Sequence, residues 1–125
     1  MTASANCLAD DSDDAIADLI ELMSVEQKVG QMTQVNLGVI IERQDKDRIR
    51  FDPERLAEAV NRYQVGSILN STSRALTVDE WHEVIRTIQD AAMKNEPAIP
   101  VLYGIDSIHG VTYAKGSTLF PHNIG

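Results

Sequence analysis

Ile99-Pro100-Val101-Leu102-Tyr103-Gly104-Ile105-Asp106-Ser107-Ile108-His109-Gly110 is the stretch on which the reading of this chain turns. Seven mostly apolar residues run together and stop at a carboxylate, a hydroxyl and an imidazole, with glycines on either side. A continuous apolar run of this length, fenced by proline, reads as a strand over 99–105 buried on both faces. In α/β proteins the place just past the carboxyl end of such a strand is where ligands settle. Asp106 occupies that place.

Upstream, helical and extended patterns alternate. Ile16, Leu19, Ile20 and Met23 fall at i, i+3, i+4 and i+7, which predicts an amphipathic helix over 14–23. Ser24 with Gln27 forms a capping-box pattern that opens a short helix through Val29, with Gly30 as its terminator. Gln31–Asn36 is a candidate first strand. Residues 37–51 mix Glu42, Arg43, Asp45, Lys46, Asp47, Arg48 and Arg50 with few apolar residues and read as a solvated loop. Asp52-Pro53 supplies an N-cap and a proline at the first helical position, and Leu56, Ala59, Val60 and Tyr63 mark one face of a helix to about residue 63. Val65–Leu69 is a second strand, ending at Asn70. Thr77 and Glu80 form another capping box, and Trp81, Ile85, Ile88 and Ala92 stripe a helix to about Lys94. Trp81 belongs to that stripe and reads as core rather than as a sugar platform; His82 lies beside it and reads as surface. Helix–strand alternation with crossovers of this length implies βαβ units and a parallel sheet.

Composition narrows the classes of function. The 125 residues are 43% hydrophobic and 24% charged, the balance of an ordinary globular protein. The net charge is −8, of which −6 lies in residues 1–21, through Asp10, Asp11, Asp13, Asp14, Asp18 and Glu21. Binding of nucleic acid through phosphate neutralisation is therefore not expected. The acidic run reads as a solvated, disordered tail over residues 1–14; a calcium site at Asp10–Asp14 lacks the glycine and distal glutamate of an EF-hand loop. No apolar run approaches the roughly 20 residues of a membrane span, so no membrane partner is expected. Met1–Leu8 shows no signal peptide, which leaves a cytoplasmic location or, with an earlier natural start, a periplasmic or secreted one. Cys7 is the single cysteine and permits no internal disulfide.

The strand end admits several chemistries. Glycoside hydrolysis needs two carboxyl groups across one bond, about 5 to 5.5 Å apart when configuration is retained. No acid follows Asp106 in the sequence, and the earlier ones fall in the mixed loop or on exposed helix faces. A lone carboxylate can instead accept two hydrogen bonds from neighbouring sugar hydroxyls, each worth roughly 1.5 to 3 kcal/mol. A metal site from Asp106, His109 and His122 has no diagnostic spacing. A nucleophilic Ser107 does not match G-x-S-x-G, and Gly104, Gly110, Gly116 and Gly125 are too scattered for a phosphate loop. His109 reads either as a pocket-lining residue or as a packed histidine bonded to backbone.

The opening stretch, followed by Gly116-Ser-Thr-Leu-Phe-Pro-His-Asn-Ile-Gly125, resembles the glycoside hydrolase family 3 β-glucosidases and exo-β-glucanases. Met23–Met32 and Val65–Asn70 resemble segments of that family in the same order, so the likeness covers about residues 15–125. It implies a (β/α)8 barrel, of which this chain carries an incomplete amino-terminal portion, because such a barrel takes about 250 residues. It implies hydrolysis of terminal non-reducing β-D-glucosyl residues with retention by the full-length enzyme, on a β-glucoside or β-glucan oligosaccharide and without a cofactor. Asp106 corresponds to the aspartate that binds sugar hydroxyls in the −1 subsite, with His109 a further candidate. The family's nucleophilic aspartate, its acid/base glutamate, and an arginine and a lysine-histidine pair that hold the sugar all correspond to positions beyond Gly125. The expectation is a piece of an enzyme, inactive alone, from a truncated gene, a partial sequence or an excised segment. A non-catalytic carbohydrate-binding or interaction module derived from the same barrel is the alternative, and an unrelated nucleotide- or metal-binding α/β domain the weaker one.

Overall fold

The computed structural model describes residues 10–42, 49–70 and 74–121. Helix α1 spans Asp10–Leu22 and α2 spans Val25–Gln31. The Ser24 capping box between them is closed in both directions: the Gln27 amide donates to Ser24 Oγ at 3.2 Å, and the Ser24 amide donates to Gln27 Oε1 at 2.8 Å. Strand β1 is Gln34–Asn36, followed by a 3-10 turn at Leu37–Val39. Asp52 accepts the Glu54 and Arg55 amides, each at 3.1 Å, and Pro53 opens α3, Pro53–Leu56. That helix widens into π-helical turns over Ala57–Arg62, closed by the Tyr63 amide donating to the Glu58 carbonyl at 2.9 Å. Strand β2 is Ser67–Leu69, helix α4 is Val78–Ala92 and strand β3 is Leu102–Gly104.

The three strands form one parallel sheet in the order β1-β2-β3. Gln34 pairs with Ser67, and Ser67 in turn with Leu102; at the other end Asn36, Leu69 and Gly104 are in register. All three carboxyl ends therefore lie at the same edge of the sheet. Each strand neighbours the next in sequence, with no reversal of order. Ile68, on the central strand, is fully buried with Leu37, Ile40, Val60, Leu76, Val84 and Ile88 around it. Polar side chains pin α4 to its neighbours. Gln89 donates to the Val101 carbonyl at 2.7 Å and accepts the Val101 amide at 3.0 Å, and Asn61 donates to the Ala91 carbonyl at 2.7 Å.

The structure departs from the sequence pattern at five places. Residues 37–51 are not simply a solvated loop: Leu37, Ile40 and Ile41 are core, Ile41 bridges Phe51, and the Asp52 amide donates to the Ile40 carbonyl at 3.0 Å. The charges of that stretch cluster in its middle, at 43–48 and outside the described residues, while its ends carry the apolar anchors. The run 99–105 does not form a strand buried on both faces. Successive side chains alternate across the sheet, and Leu102, opposite in direction to the buried Val101, is 75% exposed. Helix α1 begins at Asp10, so residues 10–14 are helical rather than part of a disordered tail. Gly30 does not end α2. It lies inside the helix because the chain passes too close for a side chain: a Cβ there would sit 2.0 Å from the Tyr63 carbonyl oxygen. In α4 the buried face runs through Val84, Ile88, Ala91 and Ala92: Ile88 and Ala92 of the expected stripe are core and Trp81 packs against it, while Ile85 is only half-buried and Val84 and Ala91 join instead.

Candidate functional site

The carboxyl ends of the strands carry Asn36, Asn70 and Asp106, one polar residue at or just beyond each. Asn36 turns inward on its own loop, its Oδ1 accepting the Gly38 amide at 2.9 Å. Asn70 is bonded to the β3 end through three groups. Its amide donates to the Gly104 carbonyl at 2.9 Å, its carbonyl accepts the Tyr103 hydroxyl at 2.5 Å, and its Oδ1 accepts the Asp106 amide at 3.3 Å. The Asn70 backbone has φ +64°, a left-handed conformation that asparagine adopts more readily than most residues. Burial pushes the Tyr103 phenol well above its ordinary range, so the hydroxyl stays protonated and remains a donor.

Asp106 is exposed, and its carboxylate makes no hydrogen bond or ion pair to any described residue. Both oxygens are open to a ligand while the main chain behind them is fixed. A carboxylate in that state is an acceptor for two hydroxyls and carries no geometry for proton transfer by itself. Ser107 and Ile108 beside it are exposed as well.

The loop after β3 is folded on itself. The Phe120 amide donates to the His109 carbonyl at 2.6 Å, and His109 Nδ1 lies 2.8 Å from the Phe120 carbonyl oxygen. Nδ1 must carry the proton to donate there, so one ring nitrogen of His109 serves the backbone of the loop. Gly110 has φ +118°, and a Cβ on it would meet the Thr118 carbonyl oxygen at 2.5 Å. A left-handed glycine is required for the loop to close. Trp81 donates its Nε1–H to the Tyr113 carbonyl at 3.2 Å and meets the Tyr103 ring edge-on, with centroids 5.6 Å apart. Trp81 therefore joins α4, β3 and the loop as a packing residue. His82 is exposed. His122, named for the metal alternative, lies outside the described residues, as do Asp45, Lys46 and Asp47. Among the described residues no group of three or more His, Cys, Asp or Glu side chains converges as metal ligands, and no helix is long and apolar enough to cross a membrane.

Asn70 is the residue at this edge whose part sequence reasoning missed. An asparagine closing a short apolar strand, followed by Ser71, Thr72 and Ser73, carries the signal of a left-handed turn. Another cavity lies away from this edge. It is a trough of about 790 Å³ beside β1, lined by Val25, Val29, Val35, Val39, Tyr63 and Val65 among others, with Glu26, Arg55 and Glu58 at its sides. Its lining is mostly apolar, with Thr33 and those three charged residues among it.

Residues 24–125 match the family described as the glycosyl hydrolase family 3 N-terminal domain. The chain belongs to glycosyl hydrolase family 3. It is 36% identical over 122 residues to the lysosomal beta glucosidase of Dictyostelium discoideum, covering 90% of this chain and 14% of that protein. To the periplasmic beta-glucosidase of Salmonella typhimurium it is 29% identical over 111 residues, 88% of this chain and 12% of the relative. This family 3 chain thus spans less than a sixth of the length of these curated relatives. Its mixed helices and parallel strands fit the family's amino-terminal domain.

Proposed function

We propose that this chain is the first part of a (β/α)8 barrel in a retaining β-glucosidase, and that Asp106 holds hydroxyls of the terminal non-reducing glucosyl unit. Residues 15–125 belong to the barrel domain in this reading. Sequential parallel strand order accords with the start of a barrel, where each strand neighbours the next, and membership of family 3 favours that reading. The substrate is a β-glucoside or β-glucan oligosaccharide. The names of the two relatives favour that class.

The observation that carries the proposal is the state of Asp106: exposed, just past the carboxyl end of β3, its amide fixed by Asn70 and its carboxylate unpaired among the described residues. A single carboxylate of this kind recognises and orients. The nucleophile and the acid/base group come from elsewhere in the complete enzyme, so residues 1–125 alone bind one side of the sugar and do not turn it over. His109 serves the site at one remove, through the loop that it ties to Phe120.

The test is hydrolysis of 4-nitrophenyl β-D-glucopyranoside by the complete gene product and by residues 1–125 alone. The complete protein is expected to release nitrophenol and the short chain to release none. Asp106→Ala is expected to lower kcat/KM of the complete enzyme at least 100-fold, about the loss of two charge-assisted hydrogen bonds. Full activity in Asp106→Ala would overturn its role as sugar ligand. Turnover by the short chain alone would overturn its place as part of a larger catalytic unit.

A further inference from the structure

The geometry points to Asn70 as the positioning residue of the site, the side chain that fixes where Asp106 presents its carboxylate. This inference rests on the reading of Asp106 as the sugar ligand and adds a residue to it. Asn70 follows the last residue of the neighbouring strand, 36 positions from Asp106 in sequence, and couples two successive strand ends. Its φ of +64° turns the chain at the end of β2 so that backbone and side chain face β3 together.

The three bonds divide the task. The amide and carbonyl of Asn70 hold Gly104 and the Tyr103 hydroxyl, and so register the two strand ends. The side chain reaches one step further, to Asp106, where the sheet pairing has stopped. The atom facing the Asp106 amide must be the amide oxygen of Asn70, because the backbone N–H can only donate. Beyond Gly104, that oxygen is the acceptor holding the Asp106 main chain. Without it, Asp106 would sit in the loop past β3 with freedom about its backbone and an unpaired carboxylate. A ligand that needs two oxygens in fixed positions loses affinity when they must be ordered on binding.

Substitution separates the backbone and side-chain parts. Asn70→Gly keeps the left-handed backbone with its amide and carbonyl bonds, and removes the acceptor for Asp106. Asn70→Asp restores an acceptor oxygen and tolerates the same backbone. In the complete protein, hydrogen exchange at the Asp106 amide, resolved by mass spectrometry, is read beside steady-state kinetics on 4-nitrophenyl β-D-glucopyranoside. Asn70→Gly is expected to speed exchange at that amide about five-fold, the equivalent of one net hydrogen bond. It is expected to lower kcat/KM by a similar factor, with KM carrying more of the change than kcat. Asn70→Asp should return the exchange rate to within about two-fold of the parent; a general folding defect would not be reversed in this way. Unchanged exchange at Asp106 in Asn70→Gly would overturn the proposal whatever the kinetics. Asp106→Ala serves as the reference: if exchange responds in Asn70→Gly while Asp106→Ala retains its KM, Asn70 still sets the Asp106 main chain, and it is the sugar-ligand reading that falls.

Discussion

Helices α1 and α4 look alike as sequence and end up in opposite circumstances. Both carry apolar residues at three- and four-residue spacing, and acids cluster at the start of each. Helix α4 buries Val84, Ile88, Ala91 and Ala92 against the sheet, is capped by Thr77 and is fastened through Gln89 to the approach of β3. Helix α1 leaves Ile16 54% and Ile20 48% exposed, and only Met23, just past its end, joins the buried set. Periodicity tells which face of a helix is apolar; it says nothing of what covers that face. Helix α4 is the packed side of this contrast, and the amino-terminal side keeps apolar surface open along α1 and in the trough beside β1.

The largest effect expected from this contrast is at Ile88. Truncating a fully buried isoleucine removes transfer free energy and leaves a cavity, so Ile88→Ala should cost about 3 kcal/mol, within the usual range of 2 to 5. Chemical denaturation of the complete protein reads it. A loss below about 1 kcal/mol would mean that α4 is not the anchor its contacts indicate.

Gly66 tests how the amino-terminal side is held without a buried stripe. Its amide donates to the Gly30 carbonyl at 2.9 Å, and a Cβ on it would lie 2.0 Å from the Gln31 carbonyl oxygen. Gly66→Ala must push the end of α2 off the start of β2, at about 1 to 3 kcal/mol. If the trough beside β1 depends on that contact, exchange protection in α2 falls first and α4 keeps its own. Equal loss in both helices would show that the two sides unfold as one unit.

A smaller, pH-dependent effect belongs to the packed side. Arg74 grips Glu80 with Nη2 to Oε1 at 2.6 Å and Nη1 to Oε2 at 3.2 Å, and the Thr77 amide donates to Oε2 at 2.7 Å. These bonds, Arg74 first, hold the Glu80 carboxyl at about 2 against an ordinary 4.5. A lowered folded-state value means that the unfolded chain binds the proton first as pH falls. The stabilisation is therefore whole above about pH 4.5 and is lost as the pH drops towards 2. About a quarter of each side chain is exposed, so solvent screening keeps the contribution near 1 kcal/mol. Glu80→Gln keeps the capping box and should flatten that acid limb of the stability curve. An acid limb identical in the variant would assign the loss to other carboxylates.

Much of the frame was legible because it rests on local chemistry. Ser24 with Gln27, Asp52 with Pro53, and Thr77 with Glu80 each open a helix where their spacing says so, and the three strands follow in place. Whatever depends on a distant partner was not legible. Gly30 reads as a terminator until Tyr63 and Gln64 arrive against it. Leu102 reads as buried because its neighbours are, although β3 packs one face only among the described elements. Asp106 could be picked out from its position after a strand. Asn70 could not be joined to it, since the bond spans two strands and forms only when the sheet sets them side by side.

The smallest expected effect is the most direct trial of the opening contrast. Ile16 already meets water over half its surface, so replacing it with serine exchanges little buried area and a minor difference in helix propensity. Ile16→Ser in residues 1–125 should therefore shift stability by no more than about 0.5 kcal/mol. The same substitution in the complete protein need not behave alike. If a later part of the chain seats on the α1 face, the isoleucine is buried there and its loss should cost roughly 2 kcal/mol or more. Equal, negligible shifts in both would mean that the apolar face of α1 stays open to solvent in the complete protein too, and that its period reflects helix formation alone.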